Sequence, residues 1–228
     1  SLQSVLYDGW LLRFAGGYTR RANSVQALAA GAAPVEEKVA WCEAQYRAQG
    51  LPTIFKITPC TQPAALDAVL EARGYRREAE TDVLSAPASA LHAAACGPDI
   101  TIMSREAWLG ACAQFNRKGA DAHRHHQAIV QAIVPPVCPV VAWSQGRPMA
   151  MGLGVLERGT VGIYDLVTDA AHRRQGHATR IISTIFAWAA AHGAQGAYLN
   201  VLAENAPAQA LYATLGFRPS YRYWYRVG

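Results

Sequence analysis

Two stretches of this 228-residue chain repeat one order of elements, and that order limits the fold more than any single motif does. "KVAWCEAQYRAQG" (38–50) and "IFAWAAAHGAQG" (185–196) each read as a helix ending in Gln-Gly. Each runs into a strand, "TIFKIT" and "AYLNVL" respectively. A short helix, a glycine break and another strand follow in both places: "AALDAVLEARGYRREAETDVL" (64–84) and "AQALYATLGFRPSYRYWYR" (208–226). Two copies of helix, strand, helix, strand predict a duplicated α/β unit. Between them, "SAPASALHAAACGPD" (85–99) is small, Ala/Pro-rich and nearly uncharged, which reads as a linker. The expected division is therefore a first domain over 1–84, a linker over 85–99 and a second domain over 100–228. Near the start, Gly16-Gly17 is expected to turn a hairpin between two strands.

The second half reads in more detail. Strand "ITIMS" leads into helical sequence over about 105–134, broken near "NRKGADAHRHH". "PVVAW", "PMAMGLGVL" and "TVGIYDLVT" are expected as three strands joined by tight turns at Gln145-Gly146 and Arg158-Gly159. The third passes through "TDAAHRRQGHAT" (168–179) into a helix over about 177–193. A further helix is expected over about 206–215 before the aromatic final strand. Arg173, Arg174, Gly176 and Ala178 occupy the strand-to-helix turn, where backbone N–H groups stand unpaired at the positive end of a helix dipole. Such an end takes an anion.

Charge agrees with that placement. Residues 1–99 hold nine Lys/Arg against ten Asp/Glu, a net of −1, and residues 100–228 hold twelve against six, a net of +6. A polyanionic ligand fits the second half. A nucleic acid fits less well, because the arginines are dispersed and no basic run occurs; strong salt dependence of binding to DNA or RNA would mark that alternative. No apolar run is long enough for a membrane span and no signal-peptide pattern opens the chain. The five cysteines (Cys42, Cys60, Cys96, Cys112, Cys138) are odd in number and lack CxxC spacing, which points to reduced thiols and a cytoplasmic protein.

Two blocks of the second half are similar to the GNAT superfamily, the Gcn5-related acyl-CoA N-acyltransferases. Arg173-Arg174-Gln175-Gly176-His177-Ala178 matches its Arg/Gln-x-x-Gly-x-Gly/Ala signature after a strand. Asn205-Ala206-Pro207-Ala208-Gln209-Ala210-Leu211-Tyr212-Ala213-Thr214-Leu215-Gly216-Phe217 matches its Asn-x-x-Ala-x-x-Leu-Tyr-x-x-x-Gly-Phe block. The resemblance implies an α/β fold of two GNAT-like mixed-sheet modules, the acyl-CoA N-acyltransferase fold, of which the C-terminal one is complete. In the first half the corresponding region reads "QALAAGAAPVEEK" (26–38), so that half is a degenerate copy not expected to bind CoA.

The resemblance also assigns the anion and the site. The anion is the pyrophosphate of acetyl-CoA, a co-substrate, taken by the backbone of 174–179 with Arg173, Arg174, Gln175, Gly176, His177, Ala178 and Thr179 in the turn. Gly176 and Ala178 keep side chains away, and the arginines add charge-assisted hydrogen bonds. Leu166, Val167 and Thr168 lie along the pantetheine arm and thioester, or else belong to an ordinary central strand. Asn205 and Ala208 touch CoA, with Asn205 also capping its helix. Tyr212 protonates the departing thiolate, or packs as a core tyrosine. Asp165 is the candidate general base, or ties two strands together. The implied activity is direct acetyl transfer to the primary amine of a small molecule or peptide, without a covalent enzyme intermediate. The alternative is a non-catalytic acyl-CoA-binding sensor.

Three remaining features carry less. "HRHH" (123–126) invites a metal reading, but no partner is spaced to complete a ligand set, so a solvated or substrate-lining segment is expected and no metal. "MGLGV" (151–155) reads as a strand of small residues. In "YRYWYR" (221–226), Tyr221, Tyr223 and Tyr225 should face the core, with Arg222, Trp224 and Arg226 at the rim. A homodimer is compatible with the sequence, and neither nucleic acid nor membrane is expected as a partner.

Overall fold

A computed structural model describes residues 2–91, 97–115 and 119–228. It contains one eleven-stranded mixed sheet. The first half supplies β1 (Gln3–Tyr7), β2 (Trp10–Phe14), β3 (Val25–Ala27), α1 (Val35–Ala48), β4 (Ile54–Ile57), α2 (Leu66–Ala72) and β5 (Arg76–Pro87). The second supplies β6 (Ile100–Ile102), α3 (Arg105–Phe115), α4 (Gly119–Gln131), β7 (Val137–Ser144), β8 (Arg147–Glu157), β9 (Thr160–Thr168), α5 (His177–Ala191), β10 (Gly196–Leu202), α6 (Ala206–Thr214) and β11 (Arg218–Val227). The repeated order is present: β3–α1–β4 and β9–α5–β10 are both parallel units with a crossover helix.

The two copies interleave. The sheet order is β1-β2-β3-β4-β11-β5-β10-β9-β8-β7-β6, so the last strand lies between β4 and β5. β11 pairs antiparallel with β5, from Arg218 opposite Ser85 to Val227 opposite Arg76, and also with β4. β5 pairs on its other edge with β10. That pairing carries strand into the stretch expected as linker: Ser85, Ala86 and Pro87 stand opposite Tyr198, Ala197 and Gly196. Residues 92–96 of that stretch, Cys96 included, lie outside the described residues.

Each face of the second half has its own core because strand side chains alternate. Cys138, Val140 and Ala142 of β7 pack with Ile181, Ile182, Ile185 and Phe186 of α5. Val141 of β7, with Met151 and Leu153 of β8, packs with Trp108, Leu109 and Val130 of α3 and α4 on the opposite face. Burying one such side chain stabilises the fold by about 1.5–3 kcal/mol. α5 sits so close to the sheet that a Cβ on Gly152 would lie 2.7 Å from Ile181 Cγ2.

A first hairpin turns at Asp8-Gly9, with Tyr7 opposite Trp10, and Gly16-Gly17 lies, as expected, in the connection between two antiparallel strands, β2 and β3, with Trp10 opposite Ala27. That loop is tied by Asn23, whose Oδ1 accepts the Ala15 and Gly17 N–H groups and whose Nδ2 donates to Thr19 O. The helical stretch is divided near "NRKGADAHRHH" as expected: α3 ends at Phe115 and α4 begins at Gly119, so that "GADAHRHH" forms the first two turns of α4. Arg226 is buried, not at a rim: its guanidinium pairs with Asp67 (2.7 Å) and reaches Glu71 and Tyr75 O. The alternation holds, with Tyr223, Tyr225 and Val227 on one face and Trp224 and Arg226 both reaching Asp67 on the other, but α2 covers that second face and turns it from rim to interior.

Candidate active site

The site forms where β9 parts from β10. Their parallel pairing runs from Gly196 opposite Thr160 to Leu199 opposite Ile163 and stops there. Beyond that point, Asn200–Leu202 stay paired with β5, and the end of β9 stays with β8. A wedge therefore opens from Tyr164 and Asn200 onward. On its other edge β9 carries a bulge: Met151 stands opposite Val167 and Leu153 opposite Tyr164, so Asp165 and Leu166 oppose the single residue Gly152. Asp165 accordingly takes φ +47°, and the bulge turns its side chain out of the strand's alternation.

What Asp165 meets could not be read locally. His126 of α4, buried, donates through Nε2–H to Asp165 Oδ2 at 2.8 Å. The His126 ring stacks on Tyr18 (centroids 5.4 Å) and tilts against Trp108 (6.0 Å). Tyr18 comes from the Asn23-tied loop of the first half. Its phenol pKa is raised by burial first and then by the Asp165 charge. The same loop runs so close to α4 that a Cβ on Gly16 would fall 2.1 Å from His125 Nε2. Two histidines of the "HRHH" run thus serve a carboxylate and a backbone contact.

Two cavities meet at this point. The smaller, about 230 Å³, is lined by Tyr212, Leu166, Ile163 and Leu199. The larger, about 490 Å³, is walled by Tyr18, His126, Tyr198, Tyr221, Arg13 and Lys56. Arg21, Tyr164, Asp165 and Asn200 line both. The Tyr164 and Tyr198 hydroxyls hydrogen-bond across the wedge, and burial, with that bond second, raises the Tyr164 pKa. Tyr212 is buried with its ring edge-on to Phe217, and burial raises its pKa too, keeping the phenol protonated near neutrality.

The turn between β9 and α5 is open. Arg173, Arg174, Gln175 and Gly176 are exposed. Arg174 (φ +62°) and Gly176 (φ +80°) both adopt left-handed backbone, and a Cβ on Gly176 would meet nothing within 4 Å. Such alternation, ending in free helix N–H groups, makes an anion-holding concavity. His177 turns its ring inward: it is buried, and among the described residues neither ring nitrogen has a partner, so its main chain is what it offers the turn. Ala178 and Thr179 follow in the first turn of α5, and Arg180 anchors it to Asp99 (2.8 Å). Asn205 caps α6 by accepting the Ala208 N–H at 3.2 Å.

The matching turn of the first half is closed. Before α1, the N–H groups of Ala32 and Ala33 donate to the Asp8 carboxylate at 2.9–3.0 Å, and those bonds hold its pKa below the ordinary value. Lys38, fully buried, donates to Asp8 O (2.6 Å) and Ala30 O (2.7 Å) and stands over the Trp10 ring at 4.3 Å. The N–H groups ahead of α1 are thus engaged by an internal carboxylate.

The architecture is that of the GNAT superfamily, and the chain is an N-acetyltransferase of GNAT type. A family described as "Probable histone acetyltransferase Rv0428c C-terminal" matches residues 1–226, and the chain belongs to it. An uncharacterized N-acetyltransferase of Bacillus subtilis, YobR, is 27% identical over 225 residues, covering 96% of this chain and 89% of that protein. A GCN5-related N-acetyltransferase from Kribbella flavida superposes with a TM-score of 0.66 at 16% identity, covering 99% and 88% of the two chains. A tandem GNAT protein from the clavulanic acid biosynthesis pathway superposes with a TM-score of 0.62 at 13% identity, over 83% and 69%.

Proposed function

We propose that the protein moves an acetyl group from acetyl-CoA directly to a primary amine in a ternary complex. The observation that carries this reading is the meeting of the two cavities at Asp165, within the wedge between β9 and β10. The pyrophosphate of the donor lies on the backbone of 174–179, with Arg173 and Arg174 alongside. Gln175, Gly176, His177, Ala178 and Thr179 present main chain there. The pantetheine arm follows Leu166, Val167 and Thr168, with Asn205 and Ala208 of α6 opposite. The thioester reaches the smaller cavity beside Tyr212, and the amine enters from the larger one.

Asp165, held by His126, removes a proton from the incoming ammonium. The neutral nitrogen attacks the thioester carbonyl carbon, and backbone N–H groups of the unpaired edge of β9 stabilise the oxyanion. Preorganised donors of this kind are worth about 2.7–4 kcal/mol. The C–S bond breaks, the CoA thiolate takes its proton from Tyr212, and the second proton shed by the acylated nitrogen restores the Tyr212 phenol. A closed turn in the first half leaves one donor site per chain, and that half serves as a wall of the acceptor cavity.

Calorimetric titration with acetyl-CoA, followed by release of free CoA thiol across an amine panel, tests this. One donor site per chain and amine-dependent thiol release are expected. Binding without turnover on any amine would leave an acyl-CoA sensor, and absence of binding would defeat the donor assignment.

A further inference from the structure

The larger cavity is cationic. Arg13, Arg21 and Lys56 line it against one carboxylate, Asp165, which His126 already engages. Arginines elsewhere near the middle of the sheet are matched by acids: Arg20 with Glu78, Arg222 with Asp82 at 2.7 Å and Arg226 with Asp67 at 2.7 Å. Among the described residues, neither Arg21 nor Lys56 has a carboxylate partner. Lys56 stands instead over the Tyr223 ring at 3.9 Å. Burial first, then the Arg21 and Arg13 charges, depress its pKa to about 8. A half-buried cation beside two others is an unfavourable arrangement that an anion would relieve.

The arrangement is also fixed in place. Arg21 follows directly on Arg20, which Glu78 holds, in the loop that Asn23 ties at three backbone groups. Arg21 therefore lines the junction of both cavities from a braced segment. Tyr18, Tyr198 and Tyr221 add aromatic wall, and the volume suits a small molecule.

Resting on the transfer reading above, we propose that the acceptor amine also bears an acid group, a carboxylate or a phosphate monoester. Arg21, Arg13 and Lys56 receive its anion while its amino group faces Asp165. A polycationic acceptor, such as a lysine-rich peptide, meets like charge here and is disfavoured.

The test compares matched acceptors: phenylalanine, phenylalaninamide and phenethylamine for the carboxylate arm, phosphoethanolamine and ethanolamine for the phosphate arm, and a lysine-rich peptide. Thiol release is followed for the unaltered protein, for Lys56→Gln and for Lys56→Gln with Arg21→Gln. The acid-bearing member of an arm should be preferred by roughly 10- to 100-fold, the worth of one charge-assisted hydrogen bond. The loss in the variants should appear chiefly as a raised KM. Calorimetric binding of N-acetylphenylalanine, N-acetylphenylalaninamide and N-acetylphosphoethanolamine, the products, is measured alongside with CoA present. Selective binding of an acid product, lost in the double variant, supports the anion site even where transfer fails, so the two readings fail separately. Preference for a neutral or polycationic acceptor overturns the proposal. So does equal binding of acid and neutral products, or an acid preference that survives in the double variant.

Discussion

Gly176 and Gly193 flank the same helix and make a matched pair of tests. They precede and follow α5 with φ of +80° and +79°, and a Cβ on either would meet nothing within 4 Å. Alanine at each position therefore suffers the same left-handed strain and no clash. That strain costs about 1–2 kcal/mol. In a chain of this length it should lower Tm by roughly 2–8 °C in both variants. Only Gly176→Ala places a methyl group over the turn. If the added group lifts a phosphate from even one backbone N–H, about 1.5–3 kcal/mol of charge-assisted hydrogen bonding is lost. Acetyl-CoA affinity should then fall roughly 10- to 100-fold. Calorimetric Kd values beside thermal melts of both variants give the answer. Gly176→Glu, which adds a negative charge to the same position, should abolish binding. Equal affinity loss at Gly193 would show that strain travels along α5 and that the turn is not the binding feature. Unchanged affinity at Gly176 would refute the phosphate assignment outright.

Tyr212→Phe should leave acetyl-CoA affinity intact and lower kcat by about 10²–10⁴-fold, as removal of a general acid does; unchanged turnover removes Tyr212 from the mechanism. Asp165→Asn should lower kcat/KM most at low pH, where the amine is most protonated, and His126→Gln should do so less severely; pH–rate profiles separate them. Arg226→Met removes the cation from Asp67, which keeps its bond from Trp224 Nε1, and a donor from the Tyr75 carbonyl; it should cost about 1–3 kcal/mol in chemical denaturation, with activity per folded molecule retained. Because the Lys56 ammonium persists only below a pH of about 8, the KM of an acid-bearing acceptor should rise as pH passes upward through that value. Lys56→Gln should flatten the rise.

Elements with a local cause were legible in the sequence. Gln145-Gly146 and Arg158-Gly159 turn hairpins as expected, with both residues of each pair at positive φ, and Asn205 caps α6 as its spacing implied. The repeated helix-strand order survived as two crossover units. What escaped depends on chain segments far apart in sequence. β11 enters the sheet between β4 and β5, and no periodicity within "YRYWYR" encodes which strands will flank it. The same insertion turned Arg226 from a rim residue into a buried one. His126 lies 39 residues from Asp165, and Arg21 arrives from the opposite half. The bulge at Asp165 had no signal beyond Gly152 across from it. "HRHH" was visible, but which of its faces would be buried depended on how α4 docks.

The closed turn of the first half has a thermodynamic consequence. Asp8 acts there as a ligand tethered to its own receptor, with an effective concentration that a free nucleotide in solution would struggle to exceed. Deleting the carboxylate would not restore a donor site; it would strip two amides and the buried Lys38 of their common partner. The tether also makes this turn sensitive to acid in its own right. A carboxylate whose folded pKa is depressed stabilises the fold above its ordinary pKa, and that contribution fades as pH falls through the folded value. In strong acid the loop before α1 should therefore slacken by losing an internal counterion; in the turn before α5 the corresponding carboxylate is Asp169, which is held by the Ala170 and Ala171 N–H groups and by His172 at the start of the turn and leaves the N–H groups next to α5 to another anion.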